Sequence, residues 1–252
     1  MIKKFGVSVG IAVLLAIFSV PAVAQFEGKI VFNSYEVTPD GSQSQNDQFS
    51  MYVTNDRILL EGENQYSFGG SIQTEGVLVR LDFEDFVFLT GEQSALKISK
   101  QDISAMMNMF SNGNAAGQTP DVDQEVEYER TGETQNVNGY SCEKFIFTDQ
   151  EEPNAHAEVW MTNELNIHWG MLAEPWGNTD LDMMGDQFST DLIFRDGYFP
   201  MRIEGYESGE LRQVTEIQEI EQSDIARAMV QIPQGVKVLS FQDYLFNKMS
   251  EQ

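Results

Sequence analysis

The 252-residue chain carries 40 acidic and 15 basic side chains, which gives a formal net charge of −25 at pH 7. Such a charge repels nucleic acids and anionic lipid surfaces, so partners of these two classes are excluded. The single cysteine excludes an internal disulfide bond, and the fold must therefore be stabilised by packing.

The first 24 residues form a predicted signal peptide. Lys3 and Lys4 precede an apolar stretch, and Ala22-Val23-Ala24 has the small side chains of a cleavage site. The apolar stretch is short for a membrane span, which needs about 20 residues. We therefore expect an exported protein, soluble after cleavage in the periplasm or outside the cell, with residues 25–252 as a single β-rich domain and no integral membrane segment.

The first half of this domain shows the alternation of half-buried strands. Residues 26–37 form the predicted opening strand, and the polar residues 42–47 form the predicted tip of a hairpin. Phe49, Met51 and Val53 then share one face of the returning strand. Further short strands follow as far as Ile98, and their regular spacing predicts one antiparallel sheet.

Two apolar stretches interrupt the strand pattern. Asp102 is the predicted N-cap of an amphipathic helix, and a segment rich in tryptophan and methionine follows later in the chain. The helix face comprises Ile103, Met106, Met107 and Phe110, and the later segment carries Trp169, Met171, Leu172, Trp176, Met183 and Met184. Methionine and tryptophan adapt to irregular apolar ligands, so these side chains form a predicted ligand site; the alternative is that they fill the core.

Residues 126–162 predict an antiparallel meander. Asn138-Gly139 separates two runs of strand-forming residues and suits a two-residue type I′ turn. Residues 199–220 predict a second hairpin with its turn at Ser208-Gly209. Residues 223–229 then predict a short helix, and Ser240 is the predicted cap of a terminal helix.

The domain is predicted to be mainly β, an open antiparallel β-barrel or strongly curved sheet with covering helices. In addition, several separated motifs together resemble the secreted bacterial proteins of domain-of-unknown-function family 4412. These motifs are Phe26-Glu27-Gly28-Lys29-Ile30, Met51-Tyr52-Val53, Thr131-Gly132-Glu133, Asn138-Gly139-Tyr140-Ser141-Cys142-Glu143-Lys144, Glu158-Val159-Trp160-Met161-Thr162, Phe199-Pro200-Met201 and Ile232-Pro233-Gln234-Gly235. The resemblance implies a distant likeness to the periplasmic lipoprotein carriers of the Lol system, whose fold is an unclosed β-barrel covered by helices. It implies no catalytic residues.

No motif of the sequence predicts catalysis, a metal or a cofactor. A zinc site from His156, His168 and Glu158 is conceivable, but exposed histidines are the simpler interpretation, because His168 follows a turn. Cys142 is either a reactive thiol beside Lys144 or a small packed hydrophobe, and the second interpretation is favoured.

An acidic stretch places a carboxylate at every second position. Its members are Asp121, Asp123, Glu125, Glu127 and Glu129. Calcium would need oxygen ligands that converge from several directions, so a solvated or edge-protecting strand face is the favoured interpretation.

The favoured class is therefore a non-enzymatic cell-envelope protein that binds a hydrophobic ligand, such as a lipid or lipidated peptide, on the concave face of the sheet. A protein-interaction module that uses the Trp-rich segment or the acidic strand is the alternative. An enzyme comes third.

Overall fold

The computed structural model describes residues 25–68, 72–91, 93–102, 127–148, 154–173 and 190–250. Its strands are β1 (Gly28–Val37), β2 (Gln43–Val53), β3 (Arg57–Phe68), β4 (Ile72–Arg80), β5 (Asp85–Leu89), β6 (Ser94–Ser99), β7 (Glu127–Val137), β8 (Tyr140–Thr148), β9 (Ala155–Thr162), β10 (Phe199–Glu207), β11 (Glu210–Gln222) and β12 (Lys237–Ser240). Its helices are α1 (Thr190–Phe194) and α2 (Phe241–Ser250), with a 3₁₀ turn at Gly170–Ala173; the described residues 100–102 are also helical.

All twelve strands of the described residues belong to one sheet, in the order β12-β6-β5-β4-β3-β2-β1-β11-β10-β9-β8-β7. Neighbouring strands are antiparallel, apart from the parallel pair of β12 and β6. The sheet is not closed into a barrel. The predicted fold class, an open and mainly antiparallel β-sheet with helices, is confirmed.

The two faces of the sheet are distinguished by their apolar side chains. The inner face carries Ile30, Met51, Ile58, Val79 and Phe86, which the strand register places on the same face of the sheet. These residues are buried in the largest hydrophobic cluster. The inner face therefore carries the main core, in agreement with the alternation predicted for β2.

Loop and helix residues cover the inner face. Leu165, Ile167 and Met171 are buried in its main cluster, and Phe241 and Tyr244 of α2 pack against the same cluster. At the other end of the sheet, α1 supplies two buried side chains to a second cluster with β8 and β9. The described part of the inner face is thus packed with apolar side chains.

Residues 223–236, which we call the strap, cover the opposite, outer face of the sheet at strands β3 to β6. Ile225 and Val230 of the strap pack in one cluster with Leu59 and Leu78 of the sheet. The predicted helix at residues 223–229 is wrong, because the strap is not helical. Ile225 and Val230 are five positions apart, and in a helix their side chains would lie about 140° apart around the axis. A helix would therefore not direct both side chains onto the sheet.

Two hairpins have the predicted two-residue turns. Asn138 and Gly139 both have positive φ, 51° and 89°, as a type I′ turn requires. Ser208 and Gly209 adopt the same combination, 53° and 79°. These turns explain why β7–β8 and β10–β11 were predictable from the sequence.

Two local predictions are wrong. The polar residues 42–47 do not form a loop, because β2 begins at Gln43 and pairs with β1 along its whole polar part. Asp102 is not the N-cap of its helix, since the helical residues begin at Lys100. Ser99 is the cap: its hydroxyl accepts a hydrogen bond from the Asp102 N–H (3.1 Å), and the Asp102 carboxylate accepts one from the Ser99 N–H (2.8 Å).

The predicted signal peptide, residues 1–24, lies outside the described residues. Among the residues that are described, no helix is long and apolar enough to cross a membrane.

Candidate interaction site

Three of the side chains predicted to bind a hydrophobic ligand can be located, and all three pack against the main cluster of the inner face. Met171 is buried there, while Trp169 and Leu172 are half-buried. The other predicted ligand-binding residues lie outside the described residues: Ile103, Met106, Met107, Phe110, Trp176, Met183 and Met184.

Trp169 joins the two clusters of the inner face. Its ring meets Phe194 at the end of α1 edge-to-face, with ring centroids 5.1 Å apart, and lies nearly parallel to Phe199 at 6.3 Å. Both arrangements are favourable aromatic contacts. Trp169 therefore contributes to core packing, and the part of its side chain that remains accessible borders the seam between the clusters.

Cys142 is a packed hydrophobe, as the favoured interpretation predicted. Its side chain is 1% exposed and belongs to the main cluster. Burial raises the pKa of the thiol to about 11. Because only the thiolate is a good nucleophile, this pKa keeps Cys142 unreactive near neutral pH.

The histidines and Glu158 form no metal site. His156 stacks on the Tyr206 ring, 4.7 Å between centroids, and its Nε2 lies 3.9 Å from a Glu158 oxygen. His168 is exposed beyond the end of β9. In the ranges that the structure describes, no group of three or more potential metal-binding side chains is present.

The acidic stretch leads into the most exposed edge of the sheet. Asp121, Asp123 and Glu125 lie outside the described residues, but Glu129 is an exposed residue of β7. β7 is the terminal strand of the described sheet and is 11 residues long, whereas β12 at the other end has four. Every residue from 128 to 136 except Thr131 is exposed. Such a strand presents its outward backbone groups to solvent.

The pairing with β8 determines which backbone groups of β7 point outward. A two-residue turn makes its flanking residues, Val137 and Tyr140, a hydrogen-bonded pair. Residues of an antiparallel pair alternate between bonded and non-bonded positions. The backbone groups of Thr134 and Asn136 are therefore directed away from β8.

A bulge between Arg130 and Thr134 divides this edge into two stretches. The Thr131 hydroxyl donates to the Lys144 carbonyl oxygen (3.1 Å), so the backbone of Lys144 faces β7. The same alternation along β8 makes Glu129 a bonded residue of β7. Tyr128 and Arg130 consequently direct their N–H and C=O groups outward as well.

An aromatic and cationic surface adjoins the edge on its inner-face side. Arg130 donates from Nε and one Nη to the two oxygens of Glu143, at 2.5 Å each, and also to the Tyr198 hydroxyl at 2.5 Å. Its guanidinium carbon lies 5.6 Å from the Phe145 ring and 5.5 Å from the Tyr198 ring. The hydrogen bonds of this pair raise the pKa of Arg130 and lower the pKa of Glu143.

Tyr128 extends this surface to solvent. Its side chain is 41% exposed, and its ring centroid lies 5.9 Å from Phe145 and 5.7 Å from Phe147. Arg130 and Tyr198 were not predicted from the sequence as members of a binding surface. Tyr128 and Arg130 alternate with the acidic residues of β7 and therefore lie on the other face of that strand. This alternation could have identified Arg130 from the sequence, but not Tyr198.

The other side of the edge is acidic. Glu129 and Glu133 are exposed, and Lys144 is already paired with Glu158 at 2.7 Å. This pairing is the main cause of the raised pKa of Lys144, to which Glu133 adds. Lys144 thus interacts with both Glu158 and Glu133. The charges that face solvent on this side of β7 are those of Glu129 and Glu133, and they are negative.

Several solved structures are similar to this chain. PNGF-II matches with a TM-score of 0.48 and 14% identity over 90% of this chain, which spans about a third of that protein's length (33%). An uncharacterised conserved protein from Thermus thermophilus gives 0.41 and 7%, covering 85% of this chain and 91% of that one. The MucA/MucB complex of Pseudomonas aeruginosa gives 0.38 and 8%, covering 84% and 58%. No curated protein matches the sequence.

A protein-family comparison gives the identification. The model described as a domain of unknown function, DUF4412, matches residues 49–236. The match starts within β2, includes the β7 edge and the strap, and ends immediately before β12. This range is most of the chain, and the protein therefore belongs to the DUF4412 family, as the ordered motifs of its sequence predicted.

Proposed function

We propose that the protein is an exported, non-enzymatic binding protein of the cell envelope that holds a partner protein by strand addition at β7. The observation that carries this proposal is the length and exposure of β7, which ends the sheet that the described residues form. Strand addition uses main-chain hydrogen bonds for affinity and alternate side chains for specificity. Tyr128, Arg130, Thr134 and Asn136 would supply these main-chain groups.

Natural sheets usually protect a long edge, because it otherwise pairs with other chains. The opposite end of this sheet follows that rule, since β12 is short and begins with an exposed lysine, Lys237. The β7 end has a bulge and acidic side chains, which limit pairing with the wrong partner but leave two stretches of backbone open. This contrast supports a binding role for β7.

Site-specific photo-crosslinking in the native host tests this proposal. A photoreactive residue at Thr134 should give a discrete crosslinked partner, and the same residue at Glu219, exposed on β11, should not. Replacing Arg130 by proline in the Thr134-labelled protein removes an outward N–H and should abolish the adduct. Equal labelling from Thr134 and Glu219, or labelling that survives the proline, would contradict strand addition.

A second candidate is binding of a hydrophobic ligand, such as a lipid or lipidated peptide. The observation in its favour is the half-buried Trp169 at the seam between the two inner-face clusters. A ligand would enter beside this ring, next to the half-buried Leu172. The filled packing around Met171 makes this candidate the weaker of the two.

Titration with an environment-sensitive fatty-acid probe tests the second candidate. Trp169→Ala should weaken probe binding, whereas Phe88→Ala, a core change in β5, should lower stability without affecting the affinity of the folded fraction. If the unmodified protein binds no probe, the hydrophobic-ligand candidate is wrong.

A further inference from the structure

We infer that the partner strand at the β7 edge is an extended basic segment, in which lysine or arginine alternates with apolar residues, and is not a second copy of this chain. This inference rests on the proposed function and adds the chemistry of the partner. It follows from the charges and the exposed ring on the two sides of β7.

The acidic side of the edge selects positive charge. Glu129 and Glu133 are exposed on one side of β7, and the whole chain has a formal net charge of −25. The nearest cations are already engaged, Lys144 with Glu158 and Arg130 with Glu143. An incoming strand would place every second side chain beside these glutamates, so lysine or arginine at those positions is attracted and acidic residues are repelled.

The same charges disfavour self-association. In the antiparallel register centred on Thr131, pairing of two β7 strands would bring Glu129 of one copy against Glu133 of the other. Like charges opposite each other across two strands are destabilising. The net charge of each copy adds a longer-range repulsion. The edge is thus protected against its own copies while remaining available to a basic partner.

The other side of the edge selects apolar residues. Tyr128 is 41% exposed and rests on Phe145 and Phe147, so part of its side chain is accessible to a neighbour. Because strand side chains alternate between the two faces, the residues of the partner between its cations would lie beside Tyr128. An aromatic or β-branched residue there would make a favourable cross-strand pair.

Three dye-labelled peptides of equal length test the inference on the full mature protein: alternating lysine and valine, alternating glutamate and valine, and alternating threonine and valine. Fluorescence anisotropy should show the lysine peptide binding most tightly. Its affinity should fall severalfold as salt rises from about 50 to 300 mM, because screening weakens exposed charge pairs. Equal affinity of all three peptides would overturn the basic-partner inference and leave strand addition standing.

Paired charge variants assign the effect to this edge. The double variant Glu129→Gln/Glu133→Gln should weaken the lysine peptide roughly three- to tenfold, the range of two exposed ion pairs, and leave the threonine peptide unchanged. The control Glu219→Gln/Glu221→Gln removes the same charge from exposed residues of β11 and should change neither affinity. Equal weakening by both double variants would show that only the net charge matters and would overturn the inference.

Thr134→Pro separates failure of this inference from failure of the proposed function. Proline removes an outward N–H, so it should abolish binding of every peptide that adds to β7. If peptides bind and Thr134→Pro has no effect, strand addition itself is wrong. If sedimentation shows a dimer of the unmodified protein that Thr134→Pro converts to a monomer, the occupant is a second copy and the basic-partner inference is wrong.

Discussion

The side-chain amide of Asn138 donates a hydrogen bond to the backbone carbonyl oxygen of Ile217, 2.7 Å away and 79 residues later in the chain. Asn138 is also the first residue of the turn between β7 and β8, with φ of 51°. One residue therefore satisfies the turn geometry and fastens the end of the proposed docking strand to β11.

Asn138→Gly separates these two roles. Glycine accepts positive φ but has no side chain to donate, so only the contact with Ile217 is lost. The free energy of unfolding should fall by about 0.5–1.5 kcal/mol, the usual contribution of one hydrogen bond. Urea titration measures the change, and Asn138→Asp serves as the comparison, since its carboxylate retains the turn preference but cannot donate. Unchanged stability in both variants would show that the contact with Ile217 contributes nothing.

Gly139→Val tests the backbone of the same turn. No atom lies within 4 Å of an added Cβ at Gly139, whose φ is 89°. Any decrease in the free energy of unfolding must then come from backbone strain at this residue, about 1–3 kcal/mol for a β-branched residue at positive φ. Chemical denaturation measures the loss. Gly41→Val, in a turn with equally open surroundings and φ of 82°, should give a similar loss, and a much smaller one at Gly139 would contradict the type I′ assignment.

Adjacent proline substitutions in β7 should differ in effect. Thr134 directs its N–H outward, so Thr134→Pro should change the free energy of unfolding little. Gln135 lies opposite Cys142 at a bonded position, and Gln135→Pro should lower that free energy by about 1–3 kcal/mol, because a buried acceptor loses its partner. Thermal melts of the two variants measure the difference. The reverse order would show that the assignment of inward and outward groups on β7 is wrong.

The thiol of Cys142 should make stability depend on alkaline pH. Its pKa is raised from 9.0 to about 11 by burial, so the folded state favours the neutral thiol. The stabilisation is fully present below pH 9 and is lost as pH rises through the folded pKa near 11. Denaturant titrations between these limits should show falling stability, and Cys142→Ala should reduce this dependence. At neutral pH the thiol should react with a thiol reagent only after unfolding.

Arg57 should be the strongest attachment of the strap to the sheet. This side chain is 8% exposed, donates to the Val230 carbonyl oxygen (3.1 Å) and pairs with Asp82 (3.0 Å). Arg57→Leu should lower the free energy of unfolding by roughly 1–3 kcal/mol, because the buried Val230 carbonyl oxygen and the Asp82 carboxylate both lose a charged donor. Arg227→Leu removes a half-exposed partner of Asp56 and Asp82 and should have a smaller effect. Urea titration of both variants decides this order.

Local pattern was sufficient to predict the hairpins and most strands. Alternation and the Asn138-Gly139 and Ser208-Gly209 turns depend on neighbouring residues, and those predictions are confirmed. The helix predicted at residues 223–229 failed because the strap follows the apolar outer face of distant strands. β12 was missed for the same reason: a four-residue strand is stabilised by its parallel pairing with β6, which no local pattern encodes.

The proposed site was only partly predictable. The sequence placed an acidic strand next to the meander and offered it as an alternative interface, but the position of β7 at the end of the sheet depends on the order of all twelve strands. The surface around Arg130 likewise requires Tyr198, 68 residues away in sequence. Such contacts follow from topology and could not be read from spacing.

The pairing of β1 with β11 has a consequence for how the chain acquires its structure. Ser34 and Thr215 meet across this pair although 181 residues separate them, whereas β1 to β6 join their neighbours locally. If the chain emerges N-terminus first, β1 to β6 can pair with one another early. The other edge of β1 stays unpaired until β11 is available, which requires nearly the whole polypeptide. High contact order slows folding and prolongs the life of partly folded, aggregation-prone species. The slowest step of folding should therefore be the pairing of β11 with β1. Chaperones would be needed most before this pairing, while the edge of β1 is still exposed.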